Sequence, residues 1–369
     1  MSSETRYTVI GAGHGGKAMA ADLAAKGFAV NLYNRTAENM AEIMVRGEID
    51  LEYENGVSRS CRLAVVTPDI GEALEDADVV MVVVPASGHR DIARTCAPHL
   101  RDGQTVILNP GRTGGALEFR QILDREGCTA DIILAETCTF IFASRSTGPA
   151  QARIFRRKNA VPLAALPATR TGHVLETVCE AYPQFIPAPN VLLTSLDNMG
   201  AIFHPALTLL NAGWIERTMG DFQFYIDGVT HSVAHVLEVL DRERVTIAAA
   251  LGVRARSARR WLKDAYSAEG DTLYEAIHAN PGYQGITAPR TLRHRYIFED
   301  VPFSLVPLAS LGAQFGVDTW ATGAMIRLAC VIHGTNYYER GRTVEDMGLR
   351  GLSVGEVKHY VRTGEVSPP

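Results

Sequence analysis

The stretch YTVIGAGHGGKAMAADLAAKG, residues 7–27, decides the fold. Tyr7 to Ile10 is an apolar run of the kind that forms a buried strand. It leads into Gly11-Ala12-Gly13-His14-Gly15-Gly16, which fits GxGxxG at Gly11, Gly13 and Gly16. Lys17 to Lys26 is Ala-rich and helical, and Gly27 stands where a helix stops. A GxGxxG alone is a weak signal. Between a strand and a helix it marks the opening of a dinucleotide-binding βαβ unit. Gly11 permits the tight turn, Gly13 lets a pyrophosphate approach the backbone, and Gly16 lets helix and strand pack closely. The helix N-terminus turns free N–H groups and partial positive charge toward the phosphates, beside His14 and Gly15. The competing reading is a glycine-rich turn without a ligand.

Further strands are expected at Val30–Tyr33, Leu63–Thr67, Val79–Val84, Thr105–Leu108 and Ile132–Leu134. Val79–Val84 is continuously apolar, as parallel strands covered on both faces are. Thr36 is placed to cap a helix reaching Arg46, and Pro68 to Leu74 reads as a short helix. Strands alternating with helices predict α/β architecture with a doubly wound parallel sheet. The texture changes near Pro183, Pro187 and Pro189, which suggest a linker or hinge. Beyond it, helical patterns cover Leu192–Arg217, Thr230–Leu251, Ala255–Tyr266 and Thr319–Ile332. The expected domains are therefore residues 1–187, of Rossmann type, and 188–369, mostly α-helical. Ser367-Pro368-Pro369 reads as a frayed tail.

The residue closing the second strand discriminates between nicotinamide cofactors. NAD sites place an acid about 20 residues past the glycines to hold the ribose 2′-OH. Here Asn34-Arg35-Thr36 stands there, without an acid. Arg35 can pair with a 2′-phosphate, and Asn34 and Thr36 can hydrogen-bond it. NADP(H) is the expected cofactor, with NAD(H) also accepted if Arg35 is only a solvated charge. Pro85 and Asn109 follow strands at the carboxyl end of the sheet, where a nicotinamide would lie, though ordinary loops look the same. Glu136 lies at a similar level, either at the cofactor or at a helix N-terminus.

Lys plus Arg is 36 and Asp plus Glu is 41 among 369 residues, a formal charge of −5. That spread of charge lacks the basic footprint of a nucleic-acid binder. With 46% hydrophobic and 21% charged residues the chain is globular rather than disordered. No apolar run nears the roughly 18 residues of a membrane span. The six cysteines form no CxxC pair, so neither a zinc site nor a disulfide scaffold is expected. The N-terminus lacks a basic-then-apolar leader, and a cytoplasmic location with reduced thiols is the expectation.

Two segments of the second half carry candidate chemistry. In TSLDNMGAIFHPALTLLNAG, residues 194–213, Pro205 disfavours helix at His204 and predicts a kink. Asn198 and Asn211 lie six and seven positions from His204. Three polar groups in an apolar segment suggest a lined pocket, against the reading of His204 as a satisfied core histidine. In RTLRHRYIFEDVPFSLVPL, residues 290–308, basic residues precede Glu299-Asp300. An arginine there could clamp a carboxylate, and Asp300 could orient His204 and stabilise its cation. Spacing alone does not bring the two segments together.

These residues carry a resemblance over nearly the whole chain. VIGAGHGGKAMAADLAAKG, DADVVMVVVPA, ILNPGRTGGALEFR, His204-Pro205 with TLLNAG, FYIDGVT, NPGYQGI and RYIFEDV resemble the opine dehydrogenases, the octopine/nopaline dehydrogenase family. The bacterial N-(1-D-carboxyethyl)-L-norvaline dehydrogenase type is the most similar. The resemblance implies a Rossmann domain, a helical domain, and substrate bound between them. It implies condensation of an L-amino acid with a 2-oxo acid such as pyruvate to an imine, then reduction to a secondary amine dicarboxylate. The family's His–Asp dyad maps onto His204 and Asp300, its carboxylate-binding arginine onto Arg295, and an active-site asparagine onto Asn198. Tyr225 and Thr230 are weaker correspondences.

Two departures stand out. The norvaline type carries an acid where this chain has Asn34, so its NAD preference need not transfer. A second asparagine before the His-Pro pair is replaced by Gly200. His231 and His235 have zinc-compatible spacing but no third ligand, and no metal is expected. Small-molecule substrates and a homodimer are the expected partners, with neither nucleic acid nor membrane. The alternatives are a ketopantoate or glycerol-3-phosphate type reductase, which would need a catalytic lysine, an imine reductase, or a cofactor-sensing protein without turnover. Lys263 and Lys358 are the only lysines after Lys158, and neither sits in a matching motif.

Overall fold

The computed structural model describes residues 5–366, so the expectation for Ser367-Pro368-Pro369 lies outside the described residues. The chain divides into two compact units. One runs to Thr194 and takes back the chain from His359; the other is Ser195–Lys358. This division lies seven residues beyond the boundary expected after residue 187.

The first unit is built on an eight-stranded sheet. Its order is Phe185–Pro187, Val161–Leu166, Ile133–Thr137, Thr105–Leu108, Val79–Val82, Arg6–Ile10, Ala29–Tyr33 and Val65–Thr67. From Ile133–Thr137 to Val65–Thr67 the strands are all parallel, and Val161–Leu166 reverses direction. Arg6–Ile10 pairs with Ala29–Tyr33 on one side and Val79–Val82 on the other. The winding therefore reverses at the strand that feeds the glycine loop, where open α/β sheets bind ligands. Every residue of Val79–Val82 and Thr105–Leu108 is buried, as their apolar composition predicts.

A four-stranded sheet, not anticipated from sequence, adds Ser58–Arg62, Glu48–Glu52, Gln151–Arg157 and Phe142–Gly148. Its strands mix buried residues with half-buried and exposed ones, so they lack the apolar runs that marked the main sheet. Its Ile49, Leu51, Ala152 and Ile154 share a core with Ala18, Met19 and Leu23 of the helix His14–Ala25. The proline-rich segment is a second correction. Phe185–Pro187 is an edge strand paired with Val161–Leu163, not a free hinge. An edge tolerates the missing N–H of Pro187.

The second unit is helical. The pattern expected as one helix over Leu192–Arg217 is three pieces, Val191–Leu196, Gly200–Leu210 and Ala212–Thr218. Phe203, Leu207, Phe224, Leu237, Leu262 and Ile277 form its main core. Beside it Arg244 is fully buried, with Nη2 2.6 Å from Asp241 and Nη1 3.7 Å from Asp197. A charge removed from water needs such partners. Among the described residues no helix is long and apolar enough to cross a membrane, and none of the six cysteines is in a disulfide.

Candidate active site

The glycine loop has the geometry its spacing implies. Gly11 has φ +110°, and its N–H donates to the Tyr33 carbonyl at 2.7 Å. A Cβ on Gly16 would stand 1.6 Å from the Gly11 carbonyl oxygen, so only glycine permits this packing. A Cβ on Gly13 would meet nothing within 4 Å, which leaves its face open to an incoming group. Gly13 caps the helix without a side chain, and helix N-termini of this kind take phosphate. Gly15 packs close to Phe140, and His14 Nδ1 accepts from the Ser146 N–H at 3.0 Å. These residues fit a dinucleotide.

Asn34 supports the loop. Its Oδ1 accepts from the Ala12 N–H at 3.0 Å, and its Nδ2 donates to the Thr36 carbonyl at 2.8 Å. Arg35 lies 3.0 Å from Asp91 in an exposed pair, and Thr36 opens a short 3-10 turn without capping it through its side chain. Pro85 begins a 3-10 turn after Val79–Val82. Asn109 Nδ2 donates to the Ile107 carbonyl at 2.9 Å, while its buried Oδ1 has no hydrogen-bond partner. Glu136 is fully buried, and its carboxylate accepts from the Ala116 N–H at 2.8 Å and Thr194 Oγ1 at 2.6 Å. The first contact is at the N-terminus of Gly115–Arg125, the helix-end alternative considered above. Gly111 permits that approach, since a Cβ there would stand 2.1 Å from Glu136 Oε2.

In the second unit, Gly200–Leu210 continues through His204 and Pro205 rather than ending there. Pro205 is one turn in, where its missing N–H leaves one early carbonyl without its helical donor. His204 Nδ1 lies 2.9 Å from Asp300 Oδ2. Asp300 is fully buried, and the imidazole is 20% exposed, so one end of the pair is dry and the other reachable. Tyr296 stacks on the imidazole at 4.1 Å and 17°, and Phe224 stacks on Tyr296. His294 meets the edge of Tyr296, and its own ring is held below the ordinary imidazole range by burial, then by Arg295.

The other expected site residues make the following contacts. Asn198 Nδ2 donates to Ser304 Oγ at 2.9 Å. Arg295 is exposed, its Nε 3.2 Å from Glu299. Tyr225 is buried and stacked on Tyr283 at 4.0 Å, and burial pushes its phenol well up. Thr230 caps His231–Ala250 by accepting from the Val233 N–H. Asn211 instead ties Leu207 to Gly228 through their carbonyls. His231 stacks on Tyr274, and no metal-competent group of His, Cys, Asp or Glu occurs among the described residues. Lys263 pairs with Glu269 at an exposed position. Tyr296, His294 and Ser304 were missed as site residues. The signal for Ser304 was a lone hydroxyl in the apolar run VPFSLVPL, four residues after Asp300.

Known proteins resemble this chain in sequence and fold. A family model described as NAD/NADP octopine/nopaline dehydrogenase, alpha-helical domain, matches residues 187–333. The model for the NAD-dependent glycerol-3-phosphate dehydrogenase N-terminus matches residues 6–111. An opine dehydrogenase of Arthrobacter sp. (strain 1C) is 41% identical over 361 residues, covering 98% of this chain and 100% of that protein. Octopine dehydrogenase of Pecten maximus is 21% identical, covering 76% of each chain. Octopine dehydrogenase solved with NADH and L-arginine has the same fold, with TM-score 0.81, 19% identity and 99% of each chain covered. Yersinopine dehydrogenase bound to NADP+ has TM-score 0.74, 16% identity, and coverage of 97% of this chain and 98% of that one.

Proposed function

The chain belongs to the opine dehydrogenase family, and on that premise we propose that it joins an L-amino acid to a 2-oxo acid such as pyruvate by reductive condensation. It is an NAD(P)-dependent oxidoreductase acting on CH–NH bonds. The observation that carries the proposed site is the 2.9 Å pairing of a half-buried imidazole with a fully buried carboxylate in the helical unit.

His204 serves as general base and acid. With Nδ1 engaged by Asp300, Nε2 handles substrate protons. It takes one from the substrate ammonium, so that the amine nitrogen can attack the keto carbon. It returns one to the carbinolamine oxygen, which leaves as water and gives the imine. Asp300 fixes the ring and stabilises its cation during the transfer. A reduced nicotinamide held by the first unit would supply the hydride for the imine carbon. Arg295, exposed beside the buried Glu299, clamps a substrate carboxylate. Tyr225 and Thr230 shape the amino-acid side of the pocket.

Gly11, Gly13, Gly15, Gly16 and His14 would hold the pyrophosphate, and Pro85 and Asn109 would border the nicotinamide. The preferred cofactor is NADP(H). Asn34 is engaged in the loop, so the 2′-phosphate falls to Arg35 and Thr36. The exposed Arg35–Asp91 pair contributes at most about 1 kcal/mol, and a phosphate can displace it. A cytoplasmic homodimer is the proposed working form. Light scattering at the mass of one chain would contradict the dimer.

The reaction is tested by its product. Mass spectrometry should find the mass of the amino acid plus the 2-oxo acid, less one water and plus two hydrogens. A 2-hydroxy acid with the amino acid unchanged would overturn the proposal.

A further inference from the structure

We propose that Ser304 is a positioning residue for the His204–Asp300 pair, and that Asn198 acts through Ser304 rather than on substrate. The inference rests on the catalytic reading of that pair.

The two oxygens of Asp300 have different partners. Oδ2 faces His204 Nδ1 at 2.9 Å, and Oδ1 accepts from Ser304 Oγ at 3.4 Å. Ser304 Oγ in turn accepts from Asn198 Nδ2 at 2.9 Å. A serine hydroxyl has one hydrogen, and an amide nitrogen can only donate. The donation from Asn198 therefore leaves the Ser304 hydrogen directed at Asp300, and the chain runs one way, from Asn198 through Ser304 to Asp300. Asn198, Ser304 and Asp300 are 2%, 0% and 0% exposed, so bulk water does not compete for these bonds.

The backbone explains the placement. Val301–Leu305 is a π-helical turn between the short helix Arg295–Phe298 and the helix Val306–Phe315. Such turns recur at functional sites because they redirect side chains without ending the helix. This one carries Ser304 four residues past Asp300, close enough to donate to it. The consequence is rotational. A buried carboxylate with one partner can swing about its terminal bond; held at both oxygens, it presents Oδ2 steadily to the imidazole. Asn198 in turn prevents the serine hydroxyl from rotating away.

The test uses the full-length chain and the low-field NMR resonance of the His204 Nδ1 proton, assigned with His204→Asn. Ser304→Ala should shift or broaden this resonance, lower kcat about tenfold, and leave both KM values within about twofold. Asn198→Ala should act in the same direction. The double variant should be no worse than the more affected single one, since both remove one chain of bonds. Should Ser304→Ala fail to fold, Ser304→Cys keeps the volume with a weaker donor and is read by the same resonance. An unmoved resonance in the folded serine variant would overturn the proposal. So would an Asn198→Ala enzyme with raised KM, unchanged kcat and an unmoved resonance, which would return Asn198 to substrate contact. The resonance is read without substrate, so it judges the relay independently of turnover. Absence of condensation by the wild-type chain would count against the catalytic reading instead.

Discussion

Asp300 Oδ2 and His204 Nδ1 stand 2.9 Å apart across 96 residues of sequence. A carboxylate there accepts the Nδ1 proton and leaves Nε2 basic. Asp300→Asn keeps the shape but offers an N–H in place of an acceptor oxygen, favouring the wrong tautomer. We expect kcat to fall about 10²- to 10⁴-fold with KM changed only a few-fold. Steady-state kinetics on folded protein checks this, and a variant within twofold of wild type would remove the pair from the chemistry.

The glycine loop separates two kinds of loss. Gly16→Ala forces a Cβ to 1.6 Å from the Gly11 carbonyl oxygen, so fold and cofactor site should suffer together, at about 1–3 kcal/mol of stability. Gly13→Ala meets nothing in the protein. It should leave the melting temperature unchanged while weakening NADPH binding, because the new methyl occupies the pyrophosphate's approach. Thermal melts and fluorescence titration distinguish the two. Undiminished NADPH affinity in Gly13→Ala would place the cofactor elsewhere.

Arg35 is the test of cofactor choice. Arg35→Ala should raise the KM for NADPH about tenfold and leave that for NADH unchanged, since only the former carries the 2′-phosphate. Parallel changes for both cofactors would mean that Arg35 does not read the phosphate.

Burial lowers the Lys158 ammonium to about 8, with its Nζ donating to Thr139 Oγ1 at 2.6 Å. A folded-state value below the unfolded value of 10.5 means that the charge opposes folding. The penalty is full below about pH 8 and is relieved as pH rises toward 10.5, where the unfolded chain still holds the proton. Lys158→Met should therefore raise the melting temperature at pH 7 and by less at pH 10. A gain that grows with pH would contradict this account.

The first half was legible because its parallel strands are apolar runs and its loop needs glycine at fixed places. The smaller sheet was not, because Ser58–Arg62 is exposed except at Cys61, and Gln151–Arg157 sets polar and charged residues around its buried Ala152 and Ile154. Phe185–Pro187 was obscured by its proline, which an edge strand tolerates. In the helical unit, His204 and Asp300 stood out by type. Their chemistry made the pairing one option and the resemblance supported it, since spacing carries no information about contacts 96 residues apart. Ser304 and Tyr296 were hidden for a different reason. A lone hydroxyl in an apolar run and one aromatic ring among several look like core until a partner is placed beside them.

The most direct test is absorbance loss at the reduced nicotinamide band, with NADPH and NADH separately, pyruvate, and a panel of L-amino acids. The account predicts consumption only when amino acid and 2-oxo acid are both present, and faster with NADPH. Consumption with pyruvate alone, unaffected by any amino acid, would contradict it and make the chain a hydroxy-acid dehydrogenase.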